Sequence, residues 1–297
     1  MSVRRSVPAA DGVALNVEID GPADAPVTVV LAHGWTLDLR IWGPVARSLA
    51  DGPAPARVVR YDHRGHGGSA AVDPATMTIE QLADDLAEVI AATAPHGPLV
   101  LGGHSMGGMT LMALAERHPD ALDRTAGVAL VSTASGGLGD GMLGLSPRTA
   151  PLARRFEERV YGSRRWSTRS RIGRPRLLAP ALNWLLLGRD ADPEAQRITA
   201  EMVCSCHPLT VSGFRPTLNA HERDAALEAF ASIPTAVLVG SRDRLTPVAA
   251  TRRIGAALPL AETTIYPGAG HMLPLERAVG VGGRISALVA GAVLADR

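Results

Sequence analysis

The chain has almost no charge surplus: 30 basic and 29 acidic residues leave a formal net charge of +1 at pH 7. Holding a polyanion needs a cationic excess, so nothing at whole-chain level points to nucleic acid or an acidic membrane surface as partner. Lysine is absent altogether; every basic residue is Arg, as the coding bias of a GC-rich genome would produce. Cysteine is limited to Cys204 and Cys206. With one residue between them they are badly placed for a disulfide or a tetrahedral metal site. His207 next door makes a metal conceivable, but two unpaired structural thiols in a reducing compartment are the expectation. The longest apolar runs, Leu177 to Leu187 and Ile285 to Ala295, fall short of the roughly 20 residues that span a bilayer, so no transmembrane helix is expected. Arg4 and Arg5 are followed by no apolar stretch, so a signal peptide is not expected either, and a cytoplasmic location follows by default. The chain also lacks internal repeats and low-complexity tracts.

What is present describes a globular protein: 46% hydrophobic and 20% charged residues, enough to bury a sizeable core. At 297 residues, one α/β core with an insertion is expected. Short β-branched runs at Val27 to Ala32, Arg57 to Tyr61, Pro98 to Leu101, Gly127 to Val131, Thr235 to Val239 and Glu262 to Tyr266 alternate with helical patterns, which predicts a largely parallel sheet. Val3 to Val7 and Val13 to Ile19 alternate in the manner of an exposed hairpin turning at Asp11 and Gly12. Thr78 to Ala92 reads as a helix capped by Thr78, with Ile79, Leu82, Leu86, Val89 and Ile90 on one face. Met106 to Arg117 reads as another, stopped by Pro119. From Gly136 to about Asn219 the strand rhythm breaks into helix-like blocks rich in Arg, Pro, Leu and Trp, the pattern of a lid or cap. The expected organisation is therefore an eight-stranded, mostly parallel sheet flanked by helices, with core over 1–135 and 220–297 and a helical cap over 136–219, inserted after the sixth strand.

The segment Pro98 to Gly108 reads PLVLGGHSMGG, a buried strand running through Gly-x-Ser-x-Gly into a helix. A serine hydroxyl is a weak nucleophile until a base takes its proton, and a sharp strand-to-helix turn holds the oxygen where a base can reach it. Gly103 and Gly107 are needed where strand and helix backbones approach too closely for a Cβ. Taken alone, the pentapeptide could also be a chance match or a Gly-rich turn that binds phosphate.

With His33-Gly34-Trp35, Asp62-His63-Arg64-Gly65-His66-Gly67, Gly103-His104-Ser105-Met106-Gly107, Gly240-Ser241-Arg242-Asp243 and Gly270-His271 in this order, the chain resembles the α/β-hydrolase superfamily along nearly its whole length. The resemblance implies a triad in chain order nucleophile, acid, histidine, with Ser105 as nucleophile. Of nine histidines, His271 lies beyond the last strand, in a loop of small residues able to carry an imidazole over the sheet edge, and is the implied base. His33 and His104 are expected to orient their own turns, and His96, His118 and His221 to be surface or cap residues. Asp243, just past the strand Thr235 to Val239, is the implied acid, placed to accept the imidazole N–H and fix the tautomer. Some members carry the acid one strand earlier; here Ser132, Thr133, Ala134 and Ser135 occupy that place, with no carboxylate before Asp140.

The resemblance also implies an oxyanion hole from the backbone N–H groups of Trp35 and Met106. Losing one such donor typically costs about 2.7 to 4 kcal/mol in the barrier. Trp35, Leu37, Trp42 and Met106 would make the acyl side apolar, although Trp42 is read as a packing residue; Trp184 in the cap is a further pocket candidate. The Asp62 to Gly67 loop is expected to brace the nucleophile turn. Between Ser146 and Arg197 stand twelve Arg against five acidic residues, an excess that could attract an anionic substrate or an acidic carrier protein; a solvated helical face is the preferred reading. The apolar run over Leu177, Leu178, Leu182, Trp184, Leu185, Leu186 and Leu187 is expected to close the pocket. The activity implied is hydrolysis of a carboxylic ester with a small or medium apolar acyl group through an acyl-serine, with a small-molecule substrate, no membrane and no metal or organic cofactor. Thioesterase, C–C hydrolase, perhydrolase, acyltransferase and cyclase activities share the same triad, and a non-catalytic binding protein of this fold is the contrasting class.

Overall fold

A computed structural model describes residues 2–52, 55–137, 166 and 168–295. Eight strands, β1 (Val3–Pro8), β2 (Ala14–Asp20), β3 (Thr28–Ala32), β4 (Arg57–Tyr61), β5 (Leu99–His104), β6 (Thr125–Val131), β7 (Thr235–Gly240) and β8 (Glu262–Tyr266), form one sheet. Their order is β1-β2-β4-β3-β5-β6-β7-β8. Pairing is antiparallel for β1 with β2 and β2 with β4, and parallel from β4 through β3, β5, β6, β7 to β8. The hairpin expected at the start is present, with Gly12 at φ 84° in its turn, although Leu15, Val17 and Ile19 of β2 are buried rather than exposed.

Strands β3, β5 and β7 are buried at every residue, which is why they read as continuous apolar runs and not as alternating ones: a parallel sheet is covered on both faces. One face is covered by α2 (Ile79–Thr93) and α3 (Met106–Arg117), whose Leu82, Leu86, Leu111 and Leu114 join a cluster with Val30, Leu99 and Leu101. The other is covered by α1 (Gly43–Ala50) and a long C-terminal helix, Ala278–Ala295, whose Val281, Ile285, Val289 and Ala292 pack with Val29, Val58 and Val100. That helix runs seven residues further back than the apolar run starting at Ile285 and, at 18 residues, is long and apolar enough to cross a membrane by length and composition alone. In this fold it lies along the sheet, with Arg284 paired to Glu262 of β8. The two interior helices start as the sequence dictates: the Thr78 hydroxyl accepts from the Gln81 N–H at 3.1 Å, and α3 spans Met106–Arg117.

Between β6 and β7 the described residues form α4 (Pro175–Leu186), α5 (Pro193–Ser205) and α6 (Pro208–Asn219). Asp140 and, of the Arg-rich stretch that begins at Ser146, residues 146–165 and 167 lie outside the described residues. After β7 come α7 (Val248–Ala257), β8, the short α8 (Leu273–Glu276) and the C-terminal helix α9 (Ala278–Ala295).

Candidate active site

Three residues other than glycine have positive φ: Thr36 at 64°, Ser105 at 54° and Ser132 at 45°. All three lie just past the carboxyl ends of adjacent strands β3, β5 and β6, so backbone strain of about 1–3 kcal/mol per residue is concentrated at one point of the sheet. Surrounding bonds hold it there. The Ser105 N–H donates to the Val131 carbonyl at 3.0 Å, and the Thr133 hydroxyl donates to the Ser105 carbonyl at 2.7 Å. A Cβ on Gly103 would sit 2.5 Å from the Gly108 nitrogen, and one on Gly107 would sit 2.3 Å from the Ala32 oxygen. Both contacts are with backbone, which cannot yield, so the glycines flanking Ser105 are dictated by the turn. Met106 opens α3, where the first N–H groups of a helix have no intrahelical partner.

His271 follows β8 and Asp243 follows β7. The imidazole Nδ1 lies 2.8 Å from Asp243 Oδ2 and 3.0 Å from Oδ1, with both residues buried. Asp243 also accepts from the Leu245 and Thr246 N–H groups and from the Thr246 hydroxyl, each at 2.9 Å. Burial by itself would raise this carboxyl; the facing imidazole and the Thr246 donors outweigh it and hold Asp243 below the usual carboxylate range. A carboxylate that accepts at Nδ1–H leaves Nε2 as the basic nitrogen.

The His271 loop is clamped from two sides. Its N–H donates to the Leu186 carbonyl at the end of α4 at 2.7 Å, and its carbonyl accepts from His104 Nε2 at 2.8 Å. The Glu276 carboxylate then ties the insertion to the loop by accepting from Gly188 N–H at 2.7 Å and Gly270 N–H at 3.0 Å. His104 was expected to orient its own turn; it holds the histidine loop instead, because the end of β5 projects its ring toward His271, 4.9 Å between centroids.

The Asp62 to Gly67 loop braces the Trp35 segment and not the nucleophile turn. Asp62 accepts from the Leu39 N–H at 2.7 Å, His33 Nε2 accepts from the His63 N–H at 2.9 Å, and His66 Nε2 accepts from the Thr36 N–H at 3.3 Å. β4, which ends at Tyr61, pairs with β3, so its loop meets the loop after β3. His221, expected at the surface or in the cap, is buried with Nε2 3.1 Å from the Ala134 carbonyl, while His118 is half-buried against Asp84. Cys204 and Cys206 are free and buried.

The buried imidazoles set a pH dependence of stability. Burial, reinforced by the neighbouring His33, pushes His66 down to about 3, and burial with the nearby His271 does the same to His104. Between the ordinary histidine value near 6.5 and about 3 the unfolded chain takes up protons that these folded residues refuse, so stability is full above that window and falls as pH drops through it. Each group adds up to about 1.4 kcal/mol per pH unit to the slope. Urea titrations from pH 7 to 4 should show this loss, with a shallower slope in His104→Gln; equal slopes in variant and wild type would refute the assignment.

Ser105 and His271 both line a cavity of about 230 Å³ whose other walls are largely apolar: Trp35, Leu37 and Met272 from the core, and Trp166, Ile172, Leu182, Leu185, Leu186, Val203 and Val211 from the insertion. The expectation for Trp184 is corrected. It is 65% exposed, with Arg244 stacked on its ring at 4.8 Å, and is not among the lining residues. On a helix, Leu182, Leu185 and Leu186 share one face at i, i+3 and i+4, which turns residue 184 outward. Leu177, 74% exposed, is also away from the cavity. Trp42 is wholly buried and donates its indole N–H to the Ala32 carbonyl at 3.0 Å, a packing role, and Met106 is buried outside the lining.

A family model described as "Alpha/beta hydrolase family" matches residues 29–281, most of the chain and all of these site residues. The chain belongs to the alpha/beta hydrolase family. It is 28% identical over 256 residues to the protein named "Putative carbamate hydrolase RutD" of Caulobacter sp. (strain K31), covering 84% of this chain and 86% of that one. Among solved structures it resembles a thermophilic esterase from Thermogutta terrifontis with malate bound (27% identity, TM-score 0.77, 98% and 99% of the two chains). It also resembles the enol-lactonase of Burkholderia xenovorans LB400 (25% identity, TM-score 0.76, 96% and 100%). As a family member with hydrolases for relatives, the chain is an enzyme of the hydrolase class.

Several residues at this alpha/beta hydrolase site were not singled out from the sequence. Thr246 carried a local signal, since an Asp accepting from N–H groups two and three residues on is a common turn. Glu276 and Arg215 carried none: Glu276 stands close to His271 in sequence, but its partner Gly188 is 88 positions away, and Arg215 reaches the cavity from the insertion.

Proposed function

We propose that the protein hydrolyses a carboxylic ester of a small or medium acyl group through an acyl-serine intermediate, with Ser105 as nucleophile, His271 as base and Asp243 as the acid that orients it. The observation that carries the reading is the convergence of a strained Ser105 and a His271 paired to buried Asp243 on one largely apolar cavity. With Nδ1–H held by Asp243, His271 Nε2 takes the Ser105 hydroxyl proton as Oγ bonds to the ester carbon. The carbonyl π electrons move onto oxygen, and the backbone N–H groups of Trp35 and Met106 stabilise that oxyanion. Collapse expels the alkoxide, which receives the proton from His271; water then repeats the sequence on the acyl-serine and releases the acid.

The β6–β7 insertion serves in this reading as a cap: it supplies much of the cavity wall, which excludes water from the acyl group, and through Leu186 and Glu276 it holds the histidine loop. The free thiols of Cys204 and Cys206 fit a reducing, cytoplasmic location.

A fluorophosphonate probe tests the reading directly. The intact protein should gain one covalent label at Ser105, located by peptide mass analysis, and Ser105→Ala should gain none. Absence of labelling in folded wild type would defeat the nucleophile assignment.

A further inference from the structure

A second cavity, of about 280 Å³, lies between the core segment Gly65 to Met77 and the junction of α5 with α6. Gly67, Ala71 and Ser205 of its lining are exposed, so it opens to solvent. Leu37, 4% exposed, is the one described residue that lines both this cavity and the catalytic one. On α5 and α6, neighbours in sequence face opposite ways: Met202 and Thr210 line the second cavity, Val203 and Val211 the catalytic cavity. The two spaces therefore stand back to back, with a single side chain between them at Leu37. That side chain is packed on the segment that carries Trp35: its Cδ1 lies 3.3 Å from where a Cβ on Gly34 would stand, and the Leu37 N–H donates to the Gly34 carbonyl at 3.3 Å.

We propose that Leu37 sets the length of substrate the enzyme accepts: it closes the catalytic cavity against the second one and confines the substrate to short chains; this rests on the hydrolytic reading of Ser105. The catalytic cavity, about 230 Å³, is smaller than the roughly 300–1,000 Å³ of most small-molecule sites, whereas the two cavities joined would fall within that range. The second cavity is fit to take an alkyl chain because its polar walls are already bonded within the protein. Asp38 accepts from the Arg40 backbone N–H at 3.0 Å and from its guanidinium at 2.9 and 2.8 Å. The Ser69, Ser205 and Thr210 hydroxyls donate to the Asp62, Met202 and Gly65 carbonyls at 2.6, 2.9 and 2.9 Å. A chain that covers such groups leaves no donor unpaired, so the usual cost of burying polar atoms is small. Met77, Met202 and Leu209 add apolar contact. Each methylene buried there tightens binding by roughly fourfold. Leu37 is then a specificity residue, distinct from the groups that move protons.

The test measures kcat/KM for p-nitrophenyl octanoate against butyrate and, for a chain on the alcohol part, for octyl acetate against butyl acetate. Wild type should favour the shorter ester. Leu37→Ala should raise the long-to-short ratio by about 10–100-fold in the series whose chain points at Leu37, and a shift in either series upholds the proposal. Ratios cancel any loss of rate common to both esters. Leu37→Val, a smaller truncation, should shift the ratio the same way and serves if a thermal melt shows the alanine variant unfolded. Filling the second cavity separates it from the room left by the leucine itself: adding Ala71→Trp or Ser205→Trp to Leu37→Ala should return the ratio toward the wild-type value, while Ala71→Trp alone should leave it unchanged. Unshifted ratios in both series, or a gain that survives both tryptophans, would overturn the proposal. Binding of 4-nitrophenyl butyl and octyl ethers in a Ser105→Ala background needs no turnover. There Leu37→Ala should raise the relative affinity for the octyl ether by at least about tenfold, and an unchanged ratio would overturn the proposal. A raised ratio while wild type cleaves none of the esters would refute the hydrolytic reading alone.

Discussion

Ser105→Ala should lower kcat on a p-nitrophenyl ester by on the order of a million-fold, the scale seen when the nucleophile of a serine triad is removed. The reason is chemical and not structural. Without Oγ no acyl-enzyme forms, and the only remaining acceleration comes from the oxyanion donors and from binding, roughly a thousand- to ten-thousand-fold over water. The fold should survive: alanine at φ 54° carries the same Cβ strain as serine, and the bonds that hold the turn use the Ser105 backbone N–H and carbonyl, not its hydroxyl. Steady-state rates together with a thermal melt check both statements. A loss below about a hundred-fold would remove Ser105 from the chemistry.

Asp243→Asn should lower kcat by roughly ten-thousand-fold with a much smaller change in KM. The carboxylate faces Nδ1 at 2.8 Å and is itself fixed by Leu245 and Thr246. Those donors would hold the amide oxygen of an asparagine and turn its NH2 toward His271, which would then accept at Nδ1 and carry its proton on Nε2. That tautomer cannot take the Ser105 proton, so the variant would bind substrate with the base facing the wrong way. A near-normal kcat would mean that another carboxylate orients the histidine. Ser132 to Ser135 offer none after β6, so the search would move to the insertion.

The outline of the fold was readable because its signals are local. Each central strand is a short apolar run bounded by polar or Gly-rich residues, helix α2 carries its own cap and apolar stripe, and α3 follows directly on the Gly-rich serine turn. The candidate triad was readable for a different reason: its members stand in small motifs at strand ends, and a parallel sheet brings its strand ends together. Where expectation and structure part, the missing information is three-dimensional. Trp184 stands among leucines that close the cavity, and only the rotation of α4 about its own axis decides that it points outward. The loop from Asp62 carries a recognisable motif, but which neighbour it supports depends on β4 lying beside β3 and not β5. The Arg count drew attention to Ser146 to Arg197, yet the arginine in the cavity wall is Arg215, outside that stretch.

By itself the sequence determined the sheet and the strained serine turn, since these follow from hydrophobic periodicity, glycine placement and motif, while its resemblance to a known family supplied the proposed order of nucleophile, acid and base. Tertiary structure alone decided what surrounds them: His104 and Leu186 clamping the histidine loop, Glu276 joining insertion to core, and a cation on an otherwise largely apolar wall. These are contacts between residues tens to more than a hundred and sixty positions apart, and no local pattern encodes a meeting that only the packing of helices on the sheet brings about.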